Sequence, residues 1–227
     1  MNRTSRTATG LIALALACAC SSPPGIVPLP AADADPLLRS CLARFPSGSF
    51  EVVHAIEATL PLGNASTVVG VSAWDAGSRT LSAALLAPEG IALFEASRFG
   101  KGDVSVTRAL PPLDRPNFAH GLFEDLGFMY FAPGGGPSGS DGDVSAPQVG
   151  RYGDGSPVCR WSLEGSVVDL VSSGEGGFTL SEYRGSGEPV RRYEAGPTTS
   201  ARGFPHSSRF QRTGPAGYSM RFTLVEQ

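Results

Sequence analysis

From residue 49 onward, apolar and polar residues alternate in short runs broken by Gly, Pro, Asp and Ser about every ten residues, a strand-and-turn pattern. The first set of predicted strands covers 49–58, 66–74, 79–87, 91–99 and 103–109. Tight turns separate them at Asp75-Ala-Gly-Ser78, Pro88-Glu-Gly90 and Gly100-Lys-Gly102. A second set covers 157–164, 166–172, 177–183, 189–194, 204–212 and 218–225. Short connections of this kind join antiparallel neighbours, because parallel pairing would need long crossovers. Two segments have helical spacing instead. In 36–45, Asp35 can cap, Pro36 takes the first helical position, and Leu37, Leu38, Cys41, Leu42 and Phe45 share one face. In 117–128, Phe118, Leu122 and Leu126 align, Phe123 stands beside them, and Glu124 and Asp125 are polar. Residues 129–131 either extend this helix or begin a short strand. The pattern predicts a mainly β, α+β fold: antiparallel meanders of about eleven strands with short helices lying over the sheet.

The segment before residue 36 has neither period. Met1 to Arg6 is basic, 10–17 is a short apolar run, and Cys18-Ala-Cys20-Ser-Ser follows. A basic start, a short apolar core and a small-residue exit describe a secretory signal peptide over 1–19, too short to span a bilayer stably. Small residues running directly into cysteine resemble the lipobox of bacterial lipoproteins. That resemblance implies Cys20 as the lipidated residue, with Cys18 as the alternative, and Ser21 after it implies an outer-membrane lipoprotein facing the periplasm. Residues 20–36, rich in Pro and Ala, read as an extended tether, and 37–227 as a single domain. Within that domain 133–157, rich in Gly, Ser and Pro, reads as a flexible loop.

Composition narrows the function classes. The chain is 41% apolar and 17% charged, enough to bury a core, with a formal charge of −3 that becomes more negative once Arg3 and Arg6 leave with the signal. Lys101 is the sole lysine, and no basic cluster exists to hold nucleic acid or anionic lipid electrostatically. Four cysteines are present, and setting aside the lipobox pair leaves Cys41 and Cys159. In an oxidising periplasm these would form a disulfide; the alternative is two separate thiols. The histidines, His54, His120 and His206, are scattered without metal-ligand spacing, so no metal site or cofactor is expected.

No coherent catalytic set emerges, and the chain is expected not to be an enzyme. Ser138 and Ser140 lie in GGPSGSDG, which lacks the nucleophile-elbow pattern; a serine esterase is the weakest reading. Each histidine reads better as solvated or locally satisfied than as a base. Asp141-Gly-Asp143-Val-Ser145 opens like a calcium loop but lacks its central glycine and closing Glu. Trp74 and Trp161 fall in strands and read as core.

Four local motifs carry a family resemblance. LSAALLAPEGIALF (81–94) looks like a strand–Pro-x-Gly–strand hairpin, and VSVTRALPPL (104–113) like a strand entering a Pro-rich turn. FEDLGFMYF (123–131) looks like a helix ending in an aromatic pair, and GYSMRFTL (217–224) like a closing strand. With the lipobox, they resemble the LolA/LolB-like half-barrel lipoproteins, more closely a bacterial lipoprotein family of unknown function with that fold. The resemblance implies a curved antiparallel sheet wrapped around helices, with an apolar concave face able to hold acyl chains. Leu85, Leu93, Phe94, Val104, Leu122, Phe123 and Leu126 would line that groove. LolB reaches the membrane through a protruding apolar loop, whereas the turn here at 87–90 is too short for one. The leading expectation is therefore a non-catalytic, membrane-anchored monomer that binds an acyl or other hydrophobic ligand. The alternative is a structural or partner-binding accessory lipoprotein with a closed core.

Overall fold

The computed structural model describes residues 22–59, 65–134, 146–185, 187–198, 203–214 and 217–226. The described chain opens with a short strand, β1 (Val27–Pro28), and helix α1 (Ala31–Leu42). A meander follows: β2 (Phe50–Thr59), β3 (Ala65–Asp75), β4 (Thr80–Leu86), β5 (Ala92–Phe99) and β6 (Val104–Ala109). Helix α2 (Phe118–Tyr130) leads into a second meander. Its strands are β7 (Gln148–Arg151), β8 (Pro157–Leu163), β9 (Ser166–Ser172), β10 (Phe178–Tyr183), β11 (Pro189–Ala195), β12 (Ser207–Arg212) and β13 (Tyr218–Glu226). All 13 strands join one antiparallel sheet in the order β1-β7-β8-β9-β10-β11-β12-β13-β2-β3-β4-β5-β6. The two meanders fuse where β13 pairs with β2, and β1 and β6 remain as free edges, so the sheet is not closed.

Mainly β, with two helices over an antiparallel sheet, is the class the periodicity predicts. The strand count differs by β1 and β7, both too short to display a period. They pair with each other, Val27 opposite Arg151 and Pro28 opposite Gly150. An edge strand tolerates Pro28, which has no N–H to donate. Gly150 makes the approach possible: a Cβ there would lie 2.5 Å from the Val27 carbonyl oxygen. This corrects two expectations. The segment 20–36 is not a tether throughout, because its second half is strand and helix. The stretch 133–157 is not loop throughout, because it contains β7; residues 135–145 lie outside the described residues.

Helix α1 also differs from expectation. It begins at Ala31, not Pro36, and carries Pro36 inside. Ala31, Ala32 and Ala34 are strong helix formers, and Asp33 complements the positive end of the helix dipole. Leu42, placed by spacing on the buried face, is 45% exposed at the helix end. Helix α2 runs on through Tyr130, so residues 129 and 130 extend the helix.

Strand alternation divides the sheet into two faces. One face carries Phe50, Val52, His54 and Ile56 from β2, Leu81 and Ala83 from β4, and Phe94 and Ala96 from β5, all buried. Both helices cover this inner face. Phe45, just after α1, packs edge-on to Trp161 of β8, with ring centroids 6.5 Å apart. In α2, Phe118 packs on Phe94, Phe128 on Phe210, and Tyr130 on Phe50 and Phe204. Gly70 belongs to the same face, where a Cβ would lie 2.4 Å from Ile56 Cδ1; its absence lets Ile56 lie across β3.

A disulfide between Cys41 of α1 and Cys159 of β8 ties the helix to the sheet, with Cα atoms 6.5 Å apart and a sequence separation of 118. Closing a loop of that length removes about 4–5 kcal/mol of unfolded-chain entropy in the chain-entropy model. Thiol counting on denatured, unreduced protein should therefore find Cys41 and Cys159 unreactive. Reduction should lower the urea midpoint; two titratable thiols, or no change on reduction, would refute the cross-link.

Candidate functional site

The groove residues named from sequence meet on the inner face, with one exception. Phe94 and Phe123 are fully buried, and Leu126 is 5% exposed. Leu85, Val104 and Leu122 are partly buried against the same core. Leu93 is the exception: it is the unpaired residue at the register shift in β5, between Ala92 and Phe94, and stands half-buried outside that core. The remaining six belong to one apolar core on the inner face, where α2 meets the sheet through Phe118 on Phe94.

That contact is apolar at one end and charged at the other. Asp125 of α2 has no exposed surface and receives a short hydrogen bond from the Tyr218 hydroxyl. Its Oδ1 lies 3.3 Å from Arg191 Nε, and its Oδ2 lies 3.4 Å from Arg212 Nη1. Arg191 Nη2 donates to Glu124 Oε2 at 2.7 Å. Buried Glu182 completes the cluster: its Oε2 is 3.4 Å from Arg191 Nε, close enough for an ion pair without hydrogen-bond geometry. Register explains the convergence, because Glu182, Arg191, Arg212 and Tyr218 follow one another across β10, β11, β12 and β13 on the inward side. Burial pushes the Asp125 carboxyl up, against the opposing pull of Tyr218 and the arginines. Burial likewise pushes the Tyr218 hydroxyl up, reinforced by the Asp125 charge.

A second cluster lies on the outer face. Arg160 of β8 makes a two-pronged ion pair with Asp169 of β9, at 2.7 and 2.6 Å, and Tyr152 donates to the same carboxylate at 2.6 Å. Arg160 Nη2 also donates to the Pro24 carbonyl at 2.7 Å, which fastens the N-terminal segment. The ends of β2, β3 and β4 frame a shallow depression of about 590 Å³. Its Asp75 is already satisfied by the Ser78 hydroxyl and the Gly77 amide, which hold that carboxyl below the usual range.

The three histidines occupy separate places among the described residues. His54 is buried on the inner face beside Phe222; His120 is 63% exposed on α2, 3.1 Å from Glu124; His206 is exposed before β12. Ser138, Ser140 and the 141–145 segment lie outside the described residues, as do Cys18 and Cys20. No group of three metal-ligating side chains occurs among the described residues. Trp161 is 2% exposed in the core, and Trp74 packs against Phe131 at 5.0 Å. Sequence reasoning missed the inward-facing charges Glu182, Arg191, Arg212 and Arg98. Their signal was present as charged residues at strand positions in phase with buried apolar ones, such as Phe94, Ala96 and Arg98 in β5.

Burial alone lowers the His54 pKa from 6.5 to about 4. Below pH 6.5 the unfolded chain takes up a proton that the folded chain refuses. The stability contribution of neutral His54 is thus full above 6.5 and is lost as pH falls through about 4, amounting to about 3 kcal/mol when complete. The urea midpoint of wild type should therefore fall relative to that of His54→Leu as pH drops from 7 to 5. A constant difference would refute the buried neutral imidazole.

No protein-family model matches the chain, and no curated protein matches it in sequence. Among solved structures, the chain resembles a LolA superfamily protein from Nitrosomonas europaea, with TM-score 0.47, 13% identity, and coverage of 85% of this chain and 91% of that one. It also resembles a putative outer membrane lipoprotein-sorting protein domain from Vibrio parahaemolyticus, with TM-score 0.48, 13% identity, and coverage of 87% and 92%.

Proposed function

We propose that this chain is a non-catalytic, lipid-anchored periplasmic protein that takes up an acyl chain between its sheet and helix α2. The observation that carries this reading is the weakness of the cover. Helix α2 has no side-chain cap at Asn117, no acidic residue in its first turn, no basic residue in its last, and glycines at 121 and 127. Its stability comes from what it packs against. Burying Phe123, Leu126 and Met129 contributes roughly 1.5–3 kcal/mol each. A dodecyl chain gains about 0.8 kcal/mol per methylene, roughly 9 kcal/mol in total, when buried in the same place. The two sums are of the same order, so exchange of helix for ligand is energetically accessible.

The anchor reading supports the same picture. Cys20, the expected acceptor, stands four residues before Pro24, which is bonded to Arg160. A fully extended link of that length spans about 12–14 Å. A lipid on Cys20 would hold the β1–β7 edge close to the bilayer, where acyl chains are available.

A second reading is favoured by the complete burial of Phe94 and Phe123. In that reading the inner face is a permanent core, and the chain acts as a structural or partner-binding accessory. Native mass spectrometry of unlipidated mature chain (Cys20→Ser, expressed without the preceding residues) separates the two. Uptake of one dodecanol per chain is expected. A mass that stays bare at saturating dodecanol would leave the accessory reading.

A further inference from the structure

Arg98 ends the inward row of β5, after Phe94 and Ala96, with Leu81 of β4 opposite on one side and Val104 of β6 on the other. It is 8% exposed, and its Nε and Nη1 have no hydrogen-bond partner. Arg191, on the same face and 7% exposed, is the comparison: it faces Glu124, Asp125 and Glu182. Two arginines of near-equal burial thus differ in compensation: Arg98 Nε and Nη1 lack the carboxylate partners that Arg191 has. A guanidinium keeps its charge throughout the physiological range, so Arg98 cannot relieve burial by losing a proton. Leaving a buried charge uncompensated is expensive, and a Met or Leu would fill the same volume without that cost.

The surroundings indicate what compensates it. The opposed pairs between β4 and β5 run Leu85–Phe94, Ala83–Ala96 and Leu81–Arg98. Two alanines between larger side chains make a low track on the sheet, covered in this structure by the packed core, and the charge lies at one end of it; a methylene chain that displaced the cover would lie along that track. The guanidinium fork matches carboxylate and phosphate oxygens. We infer that the ligand is an acyl amphiphile with an anionic oxygen head, carboxylate or phosphate, taken by Arg98, with its tail over Ala83 and Ala96. This rests on the reading above that the inner face accepts an acyl chain.

The test uses the unlipidated mature chain and three ligands of equal tail length, each below its micelle threshold: dodecanoate, dodecyl phosphate and dodecanol. Wild type should bind at least one anion about tenfold more tightly than dodecanol, the gain of a charge-assisted hydrogen bond. The tighter anion identifies the head as carboxylate or phosphate. Arg98→Met should bring all three affinities together near that of dodecanol, and Arg98→Lys should retain part of the preference. Without ligand, Arg98→Met should be at least as resistant to urea as wild type, because it loses an uncompensated charge. Equal affinities in wild type, or a preference surviving in Arg98→Met, would overturn the inference while leaving acyl binding intact. A less stable ligand-free Arg98→Met would also overturn it, by assigning Arg98 a partner within the fold. Failure of all three ligands to bind would remove the acyl reading, and this inference with it.

Discussion

The placement of helix α2 over the sheet depends on a carboxylate buried at full depth. Asp125 has no exposed surface and sits 3.3 Å from Arg191, with the Tyr218 hydroxyl and Arg212 beside it. Ions removed from water are costly, and attraction between them compensates only in good geometry. The cluster is therefore a directional device rather than a large source of stability. It works in one register of α2, whereas apolar contacts alone would tolerate sliding. With Asp125 fixed, Phe118 meets Phe94 and Tyr130 meets Phe50.

The helices are secured differently. The Cys41–Cys159 disulfide pins α1 to β8, and Arg44 adds a 2.6 Å hydrogen bond to the Gly176 carbonyl. Helix α2 has noncovalent contacts only, and its own sequence favours helix weakly. The β1–β7–β8 side of the sheet is thus covalently fastened to its helix, while α2 is held by noncovalent contacts. Arg98 lies on β5 between Leu81 and Val104, away from the carboxylates that compensate Arg191.

Period-two alternation with regular turns made most strands legible, because one face of each is buried and the other wet. The curved-sheet expectation came from four local motifs, and the disulfide pair from compartment chemistry and elimination. What escaped follows a physical pattern. β1 and β7 carry too few residues for any period and depend on Gly150 admitting a neighbouring backbone. The helix start at Ala31 was masked by Pro36, which usually marks a first turn. Leu93 was grouped with Phe94 by hydrophobicity, but it falls at an irregularity in the β4–β5 register that a sequence period does not reveal. The charged cluster joins residues from α2 and four strands, and only sheet register brings them together. The six groove residues that do share a face were found because apolar side chains announce burial locally, whereas a buried arginine does not.

Hydrogen exchange of the 118–130 amides tests most directly whether α2 is a releasable cover. The account predicts that, in ligand-free protein, these amides exchange through an opening well below the global unfolding free energy, while those of β2 and β13 beneath exchange only with global unfolding. If α2 exchanges only together with those strands, the inner face is a permanent core and the releasable cover does not exist.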